Sequence, residues 1–147
     1  MTYEVRVKKL RENAILPTYG SAFAAGADLY AAIDAPMEIA PDETRLIPTG
    51  LAFEIPEGFA GFVHARSGLA TKRGLAPANK VGVVDCDYRG EIMVALHNHS
   101  TVAKTISKDE RIAQMVITPY ITADFEETDV LSDTVRGDGG FGSTGNK

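Results

Sequence analysis

The strongest constraint on this chain is a hydrophobic period of two. Tyr3, Val5 and Val7 alternate with Glu4, Arg6 and Lys8, which sets apolar side chains on one face of a strand and charges on the other. Short apolar runs follow at 38–39, 44–47, 51–55, 59–64, 81–84, 92–96 and 112–117. Turn chemistry separates them: Ala35-Pro36, Ala40-Pro41-Asp42, Pro48-Thr49-Gly50, Pro56-Glu57-Gly58 and Arg89-Gly90. Pro56-Glu57-Gly58 is a strong β-turn signal, because Pro presets φ and Gly accepts φ > 0. Many short strands at this spacing predict an all-β sandwich, jelly roll or distorted barrel. One stretch reads as helical: Ser67 is placed to cap residues 68–73, and Gly74 to stop them.

A length of 147 residues predicts one domain with a core that needs no disulfide staples. The formal net charge of −5 argues against a surface built to hold nucleic acid, yet leaves room for a phosphorylated small molecule held by a few local cations. One cysteine, Cys86, has no partner for an intramolecular disulfide, so a reducing, cytoplasmic location is expected. The first residues are charged and alternating rather than leader-like, and no run approaches the roughly 20 apolar residues that span a bilayer. Residues 1–133 are expected to form the domain. Residues 134–147 carry five glycines (137, 139, 140, 142 and 145) around one aromatic, Phe141. Such a segment buries too little to hold itself in place, so a flexible arm is expected.

Several clusters can carry chemistry. Gly137-x-Gly139-x-x-Gly142 matches a dinucleotide fingerprint, but no helix can follow in five residues. The same tail lacks the Lys-Ser/Thr ending of a P-loop. What remains is phosphate-compatible backbone with Arg136, Ser143 and Thr144 beside Phe141, a ring suited to stacking on a base. Arg66, Ser67 and Gly68 place a cation, a hydroxyl and a helix start together, which favours an anion; a plain capped helix explains the triplet equally well. Residues 82–91 concentrate Asp85, Asp87 and Glu91 with Tyr88 and Arg89, either an acidic hairpin turn or a place where a carboxylate deprotonates water or holds a hydrated divalent cation. Asp28 is a lone acid among small residues, Gln114 a polar residue in an apolar strand, and Cys86 a thiol whose acidic neighbours disfavour the thiolate. His97 and His99 share a strand face, which alone makes a weak zinc site.

Five segments in order, Ala25-Gly-Ala-Asp-Leu29, Ala65-Arg-Ser-Gly-Leu-Ala70, residues 82–92, Arg111-Ile-Ala-Gln-Met115 and residues 136–145, resemble the motifs of the trimeric dUTP pyrophosphatases (dUTPases). The resemblance implies a β jelly roll, a homotrimer with active sites at its subunit interfaces, and Mg²⁺-dependent hydrolysis of dUTP to dUMP and pyrophosphate. That reaction lowers dUTP and supplies dUMP for thymidylate synthesis. It also implies roles. Asp85 matches the carboxylate that activates water for attack at the α-phosphorus. Asn79 and the segment through Asp85 match the backbone that reads uracil, and Tyr88 the ring that packs beneath deoxyribose and excludes a 2′-hydroxyl. Arg66, Ser67, Gly68 and Gln114 match phosphate contacts, and Asp28 the acid that holds Mg²⁺ through water. In the arm, Phe141 matches the ring covering uracil, with Gly142 beside it, while Arg136, Ser143 and Thr144 match γ-phosphate contacts. Ala65 stands where the family commonly has Pro. A dCTP deaminase of the same fold is the main alternative, opposed by the Phe-Gly-Ser-Thr tail, and a non-catalytic nucleotide sensor is another.

Overall fold

The computed structural model describes residues 2–145. Asn146 and Lys147, the end of the expected arm, lie outside the described residues. The strands run β1 (Arg6–Lys9), β2 (Thr18–Tyr19), β3 (Ala27–Tyr30), β4 (Met37–Ile39), β5 (Thr44–Pro48), β6 (Leu51–Glu54) and β7 (Phe59–His64). One helix, α1 (Ser67–Arg73), precedes β8 (Leu75–Pro77), β9 (Gly82–Val84), β10 (Met93–Asn98), β11 (Lys104–Ile106) and β12 (Arg111–Pro119). Among the described residues the strands pair antiparallel. The largest sheet has the order β2-β3-β12-β7-β9, a second is β5-β10-β8, and β1-β6 and β11-β4 pair separately. This is a jelly-roll-like all-β architecture, the one that the resemblance implied among those the alternation left open.

The inward residues of these sheets make one core, in which Leu29, Ile39, Ile47, Leu51, Leu75, Leu96, Ile106 and Ile112 are fully buried. The Pro56–Gly58 turn forms as its chemistry dictates, with the Phe59 N–H on Pro56 O and Gly58 at φ +84°. The first strand starts later than its alternation suggests: Tyr3 lies outside β1 and packs against Phe59 at a tilt of 50°, ring centroids 4.6 Å apart.

Two local expectations are corrected. Ser67 is not the helix cap; it is the first helical residue, and Arg66 occupies the cap position with extended backbone and no side-chain capping bond. The Arg66 carbonyl closes the first turn by accepting from the Ala70 N–H, and its side chain, a donor only, has no part in the cap. Gly74 does end the helix, in the left-handed conformation, φ +67°. Residues 85–92 are not a hairpin between paired strands either. β9 is the edge of the five-stranded sheet, whereas β10 is central in the three-stranded one. The acidic segment therefore crosses from one sheet to the other and leaves a cleft between them.

After β12 no helix or strand forms up to residue 145, and residues 120–138 are all exposed. That stretch displays Ile121, Phe125, Val130, Leu131 and Val135 to solvent. No helix among the described residues is long and apolar enough to cross a membrane.

Candidate active site

Strand pairing builds the first cluster. β12 lies between β3 and β7, with Gln114 opposite Asp28 on one side and His64 on the other. In-register residues on neighbouring strands share a face, so Asp28 and Gln114 stand side by side where β7 runs into Arg66. Asp28 is buried, and its Oδ1 accepts from Arg66 Nε at 2.8 Å while Oδ2 faces Arg111 Nη1 at 3.5 Å. The Arg66 guanidinium commits its Nε–H to this pair. Gln114 is not a solvent-facing polar residue. It is half-buried, and its Nε2 donates to Ala65 O at 2.9 Å, tying β12 to the turn that carries Arg66, Ser67 and Gly68.

Gly26 makes room for that bond. A Cβ there would lie 2.9 Å from Gln114 Cδ and closer still to its oxygen. Nothing in the alternation or composition of the sequence signals this role; only the packing reveals it. The shallow surface beside α1 is lined by Arg66, Gly68, Leu69, Lys72, Arg73, Glu110 and Arg111, a mainly cationic floor. Arg73 is bound to Glu110, and Arg66 and Arg111 share the single charge of Asp28, so with Lys72 the surface keeps a net positive charge toward an anion.

The second cluster lines the cleft between the two sheets. A cavity of about 290 Å³ is walled by Asn79, Gly82, Val83, Val84, Asp85 and Tyr88 on one side and by Pro77, Met93, Val94 and Ala95 on the other. It is near the small end of typical ligand pockets, about 300–1,000 Å³. As an edge strand, β9 offers its outer backbone N–H and C=O groups to whatever fills the cleft. The Asp85 carboxylate is exposed and takes no hydrogen bond or ion pair among the described residues, which leaves it open to water. Tyr88 turns its hydroxyl back onto Glu91 O at 3.1 Å. Cys86 lies on the far side, its Sγ 3.9 Å from the Tyr120 hydroxyl, a contact that raises the Tyr120 phenol above its ordinary value.

The arm joins neither cluster. Arg136 Nε donates to its own segment at Gly139 O, 2.8 Å, the Gly137 N–H goes to Thr134 Oγ1, and Phe141 is fully exposed with φ +50°. Gly142, Ser143 and Thr144 make turns within the arm. One chain thus brings Asp28, Arg66, Ser67, Gly68 and Gln114 together, separately groups Asn79, Asp85 and Tyr88, and holds Arg136 and residues 141–144 apart from both.

His97 Nδ1 bonds Thr44 Oγ1 at 2.8 Å and its ring meets His99 edge-on at 4.5 Å. No group of three His, Cys, Asp or Glu that could hold a metal occurs among the described residues. The buried carboxylate at the first cluster is Asp28, whose two oxygens face Arg66 and Arg111.

Similarity to known proteins follows the same residues. The dUTPase family model matches residues 12–145, which include both clusters and the described arm. The chain belongs to the dUTPase family. Membership makes it an enzyme of the dUTP diphosphatase class. It is 51% identical over 142 residues to the deoxyuridine 5′-triphosphate nucleotidohydrolase of Nautilia profundicola, covering 97% of this chain and 99% of that one. The Rhizobium etli protein of the same name is 54% identical over 136 residues, 91% of this chain and 87% of its own. Among solved structures, the Staphylococcus bacteriophage 80alpha dUTPase with dUPNHPP superposes with a TM-score of 0.90 at 29% identity, covering 98% of this chain and 99% of that one.

Proposed function

We propose that this dUTPase-family chain hydrolyses dUTP to dUMP and pyrophosphate by attack of water at the α-phosphorus, at sites shared between subunits of a homotrimer. The observation that carries the reading is the sheet-to-sheet cleft, where an unengaged carboxylate, Asp85, and an aromatic ring, Tyr88, flank an edge strand. Uracil and deoxyribose fill the cleft. The outer edge of β9 and Asn79 read the base, and Tyr88 packs under the sugar. Asp85 takes a proton from water as the new oxygen–phosphorus bond forms, and pyrophosphate leaves with the electrons of the broken bond. General-base assistance of this kind contributes about 10²–10⁴ in rate; positioning and charge neutralisation do much of the rest.

The cationic surface around Arg66, Ser67, Gly68 and Gln114 receives the triphosphate. Asp28 orients Arg66 and is the acid that would hold Mg²⁺ through water; when bound, the ion neutralises phosphate charge. The arm supplies Phe141 over uracil, with Gly142 giving the bend beside it, and Arg136, Ser143 and Thr144 to the γ-phosphate. Three groups of site residues that one chain keeps apart, together with the strand-free stretch after β12 that exposes Ile121, Phe125, Val130 and Leu131, support assembly between subunits. A single cysteine outside any disulfide suits a cytoplasmic enzyme, and its action there lowers dUTP and supplies dUMP for thymidylate synthesis.

Pyrophosphate release from dUTP with Mg²⁺, run beside dCTP, dTTP and UTP, tests the proposal. Release from dUTP alone supports it. Ammonia release from dCTP, or no turnover of any of the four by folded protein, overturns it.

A further inference from the structure

We propose that Gly90, Glu91 and Arg11 form a brace that holds Tyr88 rigid and so sets the enzyme's preference for deoxyribose over ribose. The inference rests on the reading of Tyr88 as the ring beneath the sugar. Tyr88 lies across Gly90: a Cβ at that position would come 2.5 Å from the ring's Cζ and 2.9 Å from Cε2. Gly90 is not in the left-handed region, so it is needed for space rather than for backbone conformation. The ring's hydroxyl donates to Glu91 O at 3.1 Å. Glu91 is itself pinned, its carboxylate accepting from Arg11 Nε at 2.7 Å and Nη2 at 3.1 Å, a two-pronged contact.

The brace reaches the core. The Arg11 stem crosses Gly50, where φ is +68° and a Cβ would approach Arg11 Cβ to 3.1 Å. Leu10 N–H donates to Gly50 O at 2.7 Å, and the fully buried Thr49 donates its hydroxyl to Ile92 O, also at 2.7 Å. Tyr88 is therefore tied to the Thr49–Gly50 turn by way of both Glu91 and Ile92. Arg11 lies outside every segment that carries the family resemblance, so its tie to the sugar site is visible only in the fold.

Rigidity matters because the two sugars differ by one hydroxyl. A pocket that merely excludes an added hydroxyl rejects it by only about 10²-fold, and only while its wall holds still. A ring that can swing aside admits ribose. The three atoms nearest a Cβ at Gly90 all belong to the Tyr88 ring and hydroxyl and none to backbone, so Gly90→Ala pushes the ring out of its braced position.

The test measures kcat/KM for dUTP and UTP in wild type, Gly90→Ala, Arg11→Gln, Arg11→Lys and Tyr88→Ala. The expected result is a drop in the dUTP/UTP ratio of about tenfold for Gly90→Ala, with kcat on dUTP within a few-fold of wild type. Arg11→Gln lowers the ratio less, and Arg11→Lys, which keeps the charge without the fork, recovers part of it. Proportional losses on both substrates, with the ratio unchanged in the Gly90 and Arg11 variants while Tyr88→Ala lowers it, overturn the brace. An unchanged ratio in Tyr88→Ala, or a wild type that does not prefer dUTP, overturns instead the reading of Tyr88 on which the brace stands.

Discussion

Replacing Asp28 with Asn keeps the side chain's size and removes the charge that holds Arg66. Asp28 Oδ1 is 2.8 Å from Arg66 Nε, with side chains 11% and 28% exposed, whereas Arg111 is half in water and 3.5 Å away. The exposed Arg111 contact contributes about 0–1 kcal/mol. The shorter, largely dry contact to Arg66 is a charge-assisted hydrogen bond of about 1.5–3 kcal/mol. Asn still accepts from Arg66 Nε, so Asp28→Asn loses the charge assistance and should lower stability by about 1–2 kcal/mol; with roughly 2–4 °C per kcal/mol for a chain of this size the Tm falls by about 2–8 °C. Thermal unfolding of Asp28→Asn, Arg66→Gln and the double variant closes a cycle whose coupling energy should be about 1 kcal/mol and weaken only slightly in high salt. A coupling below about 0.3 kcal/mol, within ordinary additivity, would refute the claim that Asp28 anchors Arg66.

Asp85→Asn removes the proton acceptor without filling the cleft. Turnover should fall by about 10²–10⁴ while nucleotide affinity, read by calorimetry, changes little; near-normal turnover would exclude Asp85 as the base. Deleting residues 134–147 removes a segment whose described residues are mostly exposed and make their hydrogen bonds with one another. Turnover should collapse with Tm within about 2 °C of the intact chain, since surface residues away from packing change stability by only about 0.5 kcal/mol. Gly26→Ala drives the Gln114 carboxamide off Ala65 O; it should cost about 1 kcal/mol of stability, one hydrogen bond, and raise KM for dUTP more than it lowers kcat.

Alternation and turn chemistry made the outer architecture legible. The runs at 44–47, 59–64 and 112–117 became β5, β7 and β12, and Pro56-Glu57-Gly58 became the turn it promised. β3 was not legible, because Ala27, Asp28 and Leu29 are all buried and carry no alternation. β8 was hidden by its Pro77 and its length of three residues. The 82–91 segment betrayed its chemistry through its acids and Tyr88, but not its path: whether two apolar runs pair or part into different sheets depends on long-range partners. Arg66 was legible as a cation near a helix start, whereas its bond to Asp28, 38 residues away, was not. The roles of Gly26 and Gly90 were hidden for a similar reason, since a glycine kept for space is identical in sequence to one kept for a turn.

Hydrolysis of dUTP in ¹⁸O-labelled water tests most directly the central claim, water attack at the α-phosphorus in the Asp85 cleft. The account predicts one labelled oxygen in dUMP, unlabelled pyrophosphate, and loss of both products in Asp85→Asn. Label in the pyrophosphate would contradict it by placing the attack on the β-phosphorus.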